Sequence, residues 1–150
     1  MCLYVNSKVL IAKENLKCFK VLQKVNMDSY CTPFMLMPII FRRGIAKVSI
    51  VGELRLFQSL LRLGHEIHRG IHAYCTKRYV DKMWWPSLNS HELKNAIIPK
   101  GAQFCIGQDG DVVATKMIIF RNDEAFEKFL EKNKAIRMTS IIKKEAFNEK

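Results

Sequence analysis

The chain has 150 residues, 49% of them apolar, and its 25 Lys or Arg against 14 Asp or Glu give a formal charge of +11. That balance excludes a disordered chain, which would have too little to bury. Seven Gly and four Pro exclude collagen-like and low-complexity classes. A chain of this length can enclose one core without staples.

Residues 9–12 are a short apolar run that enters the fold as a strand. Over 16–22, Leu16, Cys18, Val21 and Leu22 are separated by Lys17 and Lys20 at roughly strand period, with Phe19 breaking strict alternation. Asn26, Asp28 and Ser29 signal a turn. Residues 30–32 then read as extended, since Pro33 pushes Thr32 out of helical geometry. Pro38 lacks a donor and belongs at a sheet edge. The β-branched run 45–51 predicts a strand closed by Gly52. Over 53–63, Leu54, Phe57, Leu60 and Leu61 fall on one helical face, with Arg55, Gln58 and Arg62 outward. Residues 70–75 predict a strand, and Thr76 caps a short helix over 77–83 that ends at Trp84, Trp85 and Pro86. Strands are predicted over 93–98 and 102–106, joined by a turn at Pro99, Lys100 and Gly101. A further strand covers 112–120, and Asp123 caps a helix over 124–132. The expected fold is α+β: a mainly antiparallel sheet with two to four short helices. Residues 1–122 form the basic domain, and 123–150 a C-terminal helical appendage.

Cys2, Cys18, Cys31, Cys75 and Cys105 are odd in number and lack CxxC pairing, so buried, reduced thiols without metal are expected. His65, His68 and His72 would share a face only on one continuous helix. Gly64 and Gly70 interrupt such a helix, so no metal site is expected there. Asp109 and Asp111 flank Gly110 as in a hairpin turn, and the further oxygen ligands of a calcium loop are missing. The N-terminus has no signal-peptide pattern. The apolar run 34–41 is broken by Pro38, stops at Arg42, and is too short to span a membrane. The expectation is a cytoplasmic protein, in the host cytoplasm if phage-encoded, without membrane contact or cofactor.

The charge is uneven: +6 over residues 1–50, +4 over 51–100 and +1 over 101–150. A basic field concentrates nucleic acid or an acidic protein. Arg42, Arg43, Lys77, Arg78 and Lys82 are candidate nucleic-acid contacts, and Trp84 and Trp85 candidate stacking residues. Around Ile71, Ala73 and Cys75, which alternate toward a core, His72 and Tyr74 take the opposite face. With Lys100 on the nearby turn they are the candidate ligand-binding group, in which imidazole and phenol could move a proton or bond a ligand.

The runs 13–22 (KENLKCFKVL), 31–34 (CTPF), 70–74 (GIHAY) and 97–102 (IIPKGA) resemble small uncharacterised proteins of bacteria and their phages. The likeness covers about 13–120 and implies a shared fold rather than an activity. More distantly, the order of 70–76, 77–83 and 97–106 resembles ADP-ribosyltransferases, in which such a strand leads to a catalytic glutamate. Here residues 111–117 contain no Glu, so the resemblance implies a binding domain that has lost the device for stabilising an oxocarbenium-like charge. The expected function is therefore a non-enzymatic accessory or binding protein of a phage or mobile element, engaging nucleic acid or an acidic protein. The alternatives are a nucleotide-binding or degenerate transferase-like cleft at His72 and Tyr74, or a structural component of a larger assembly whose oligomeric state the sequence leaves open.

Overall fold

The computed structural model describes residues 3–5, 8–27, 29–32, 37–58, 65–67, 69–78, 80, 91–107 and 110–141. Its elements are β1 (Leu3–Val5), β2 (Leu10–Ile11), β3 (Asn15–Asn26), β4 (Ser29–Cys31), β5 (Pro38–Ile39), β6 (Ile45–Ser49), β7 (Phe57–Gln58), β8 (His65–Ile67), β9 (Ile71–Tyr74), β10 (His91–Ile98), β11 (Gln103–Ile106), β12 (Asp111–Ala114), β13 (Lys116–Phe120), α1 (Asp123–Lys132) and β14 (Ala135–Arg137).

Among the described residues strand accounts for 54% and helix for 16%, so the fold is mainly β rather than α+β with two to four helices. Of the helix predicted over 53–63, the described residues 53–58 are not helical. The Leu54 amide donates to the Gln103 side-chain carbonyl (2.9 Å), and Phe57–Gln58 pairs with β8. Backbone groups committed in this way are not available to a helical ladder. Leu54 packs beside Ile67, Cys105 and Val113, whereas Phe57 is exposed, so the two do not share a buried helical face. Residues 59–63 lie outside the described set, as do Tyr79 and 81–90; Lys77, Arg78 and Val80 are helical. The helix predicted over 124–132 is present as α1. Its N-cap is Asn122, whose Oδ1 accepts from the Ala125 amide (2.9 Å), while Asp123 sits in the first turn.

The large sheet runs β2-β11-β12-β9-β3-β10-β13-β6. β12 and β13 are one chain run broken only at Thr115, yet three other strands stand between them in this order. The ladder therefore returns to the run it left, and β12, β9, β3, β10 and β13 surround a common interior. The phase of inward residues changes at the corner, from Val112 and Ala114 to Met117 and Ile119, all within one buried cluster. Gln103 stabilises the corner: its amide donates to Thr115 Oγ1 (3.1 Å), and its carbonyl accepts from the Thr115 amide (3.0 Å). Leu16, Cys18, Leu22, Ile71, Ala73, Ala96, Ile98 and Phe104 fill the interior from the other strands.

The outer face of the sheet is covered as well, by three smaller groups. Leu54 and Ile67 lie over Cys105 and Val113, Val80 lies over Val21 and Tyr74, and Phe126 of α1 lies over Ile97 and Phe120. The segment expected as an appendage is joined to the sheet as far as residue 141. β14 pairs in parallel with β3, and Met138 is fully buried in the interior.

Candidate functional site

Asn15 organises the start of β3. Its Oδ1 accepts from the Lys100 amide (2.9 Å), and its Nδ2 donates to the Lys134 carbonyl (3.1 Å). The Gly101 amide donates to the Ala12 carbonyl (2.8 Å), and β14 aligns Ala135 with Asn15 and Arg137 with Lys17. Three segments far apart in sequence thus bring Lys13, Lys17, Lys100, Lys134 and Arg137 to one end of the sheet. All are exposed except Lys17, which is half-buried. Glu14 is the one acid on residues 12–17, 99–102 and 133–137.

Beside this cluster the outer face holds a concavity of about 370 Å³, lined by Lys17, Phe19, Thr76, Asn95, Phe126, Arg137 and Thr139, with Cys18 and Cys75 also contributing. It lies where β14 and β9 meet the same side of β3, β14 pairing at residues 15–17 and β9 at Phe19. Asn95 Nδ2 donates to Asp123 Oδ1 (2.9 Å), which ties the floor to the start of α1. Among the described residues no carboxylate lines the space. Among the described residues, neither Lys17 nor Arg137 makes an ion pair.

The sequence-predicted residues divide between several places. Lys77 and Arg78 are exposed and directly follow Thr76, at the border of the concavity. Lys100 is exposed on the turn held by Asn15. Arg42 and Arg43 are exposed at the two-residue turn before β6, where Arg42 and Ile45 bond each other. Arg43 (φ 55°) and Gly44 (φ 81°) adopt the positive φ such a hairpin turn requires. A Cβ on Gly44 would come within 2.9 Å of Ala125, so this turn lies against α1. Lys82, Trp84 and Trp85 lie outside the described residues.

His72 and Tyr74 share the outer face of β9. Tyr74 is 8% exposed and packs with Val21 and Val80. His72 is half-buried, and its Nδ1 is buried without a hydrogen bond. Burial, then the nearby Lys20 charge, lowers the imidazole to about 4, so it is neutral at physiological pH. The unfolded chain takes up its proton near the ordinary 6.5, well before the folded one does. Stability should therefore fall as pH drops from 6.5 toward 4, by about 2 kcal/mol after allowing for partial exposure. His72→Leu should flatten that part of the curve without loss at pH 7, as read by urea titrations at both pH values. An unchanged slope in the variant would rule this out.

Sequence reasoning missed Lys20. Alternation places it with Leu16, Cys18 and Leu22 toward the interior, and it is 6% exposed. Burial lowers its ammonium to about 8, opposed by Cys18. Tyr30 Oη donates to Glu92 Oε2 (3.0 Å), and Lys94 pairs with the same oxygen (2.9 Å). The Lys94 bond, then that from Tyr30, holds the Glu92 carboxyl below its usual range against partial desolvation. Cys18, Cys31, Cys75 and Cys105 are buried free thiols; Cys2 lies outside the described residues. Burial raises Cys75 to about 12 and Cys105 to about 11, which keeps both as unreactive thiols. Among the described residues no helix is long and apolar enough to cross a membrane, and no three side chains form a metal-binding group.

No family model, curated protein or solved structure matches this chain.

Proposed function

We propose that the protein is a non-enzymatic binding protein that engages nucleic acid through the basic end of its sheet. The observation that carries this reading is the meeting of Lys13, Lys17, Lys100, Lys134 and Arg137 around Asn15. Such a cluster neutralises phosphates and releases condensed counterions, a mechanism that needs no sequence preference. Lys77 and Arg78 extend the positive surface beyond Thr76. No complete catalytic set is found among the described residues: the described thiols are buried, and no described carboxylate lines the concavity.

Fluorescence anisotropy with a single-stranded oligonucleotide over a salt series tests the reading. Affinity should fall linearly in log–log form. The combined Lys13→Ala, Lys100→Ala and Lys134→Ala variant should lower the slope by about 2, close to 0.7 per lost phosphate contact. Affinity that does not respond to salt overturns the electrostatic account. Absence of binding even at low salt overturns the nucleic-acid reading and leaves the charge to serve solubility or an acidic protein partner.

A further inference from the structure

We propose that the concavity between β3, β14 and α1 is a seat for a phosphate monoester, carried by a nucleoside monophosphate or by the 5′ end of a nucleic-acid strand. The inference rests on the nucleic-acid reading above and assigns one site within it.

The first argument is the register. Arg137 lies opposite Lys17 on hydrogen-bonded strands, and neighbouring strands run only about 4.8 Å apart. Like charges placed across a strand pair destabilise it. Among the described residues, no carboxylate pairs with either cation. Asp123, at the start of α1, accepts from Asn95. An anion between Lys17 and Arg137 would turn this repulsion into attraction. The guanidinium of Arg137 suits two phosphate oxygens at once, and the Lys17 ammonium adds a point charge.

The second argument is the rest of the lining. Phe19 and Phe126 present apolar ring surface beside the cations, and Thr76, Asn95 and Thr139 add polar groups. A largely apolar wall with a few placed polar groups is the composition of small-ligand sites, and about 370 Å³ falls in their size range. An inorganic ion would leave the phenyl wall unused. A phosphate ester bearing a flat base would use both parts.

The test uses calorimetry on the full chain with adenosine monophosphate, adenosine and inorganic phosphate. Anisotropy follows with an oligonucleotide bearing either a 5′ phosphate or a 5′ hydroxyl. Adenosine monophosphate should bind at least about tenfold more tightly than adenosine, and Lys17→Ala and Arg137→Ala should each weaken it about tenfold. Both variants should be at least as stable as the parent without ligand, because each relieves the repulsion; Lys17→Arg should retain binding. Preference for the phosphorylated oligonucleotide identifies a strand end as the source, and equal binding of the two oligonucleotides identifies the free nucleotide. The site is overturned if adenosine monophosphate binds no better than adenosine, or if neither alanine variant weakens it. Inorganic phosphate binding as tightly as the nucleotide overturns the role of the phenyl wall. Salt-sensitive oligonucleotide binding without any nucleotide binding removes the seat and leaves the broader surface reading standing. Nucleotide binding without oligonucleotide binding does the reverse.

Discussion

Lys20→Met should stabilise the protein at pH 7 by on the order of 3 kcal/mol, as read by urea unfolding. Lys20 is 6% exposed, and burial takes its ammonium from 10.5 to about 8. At pH 7 it is therefore still charged inside the fold and bears the full desolvation cost. Met has a similar unbranched stem and no charge, so it fills the same space. The pH dependence identifies the cause. Between pH 8 and 10.5 the unfolded chain holds the Lys20 proton and the folded one has released it, so the wild-type protein gains stability from this group as pH rises. The advantage of Lys20→Met should shrink across that window. Cys75 and Cys105, raised to about 12 and about 11 from 9.0, act in the opposite sense above pH 9, where the unfolded chain ionises first. The difference between variant and parent cancels their effect and isolates Lys20. A variant less stable than the parent at pH 7 would mean that the ammonium is satisfied in place.

Met138→Ala should cost about 3 kcal/mol, within the usual range for truncating a fully buried side chain. Met138 has no exposed surface and belongs to the interior cluster with Leu16, Ile98 and Met117. It follows β14 directly, so its burial depends on the parallel pairing of Ala135–Arg137 with β3. Thermal or urea unfolding measures the loss. A change below about 0.5 kcal/mol, the range of ordinary surface substitutions, would show that the segment after α1 stands apart from the core. Losing that pairing would also separate Arg137 from Lys17. The same variant should therefore weaken the proposed phosphate seat if it loosens β14.

Much of the strand content was legible because it rests on local chemistry. The 99–101 turn, the apolar run at 45–49 and the extended run at 71–74 follow from proline, glycine and β-branched residues acting on their immediate neighbours. The helix after Phe120 was legible from its apolar face, though its cap moved by one residue to Asn122. Periodicity misled over 53–58 because the Leu54 amide donates to the side chain of Gln103, which lies 49 residues away. The same limit applied to His72 and Tyr74: alternation placed them on one face of β9 but could not show that Val80 covers Tyr74.

The basic charge of the chain, its ample apolar content and the extended character of most of its apolar segments can be read from the residues alone. Those properties are sums over residues or patterns between near neighbours. Long-range packing alone sets the corner at Thr115, the depth at which Lys20 is buried, and the meeting of Lys17 with Arg137. The last pair lies 120 residues apart, and no local preference of either residue encodes the meeting. It is set by which strand edge β14 finds, a choice made by burying Met138 and by Asn15 bonding both the turn at Lys100 and the carbonyl of Lys134.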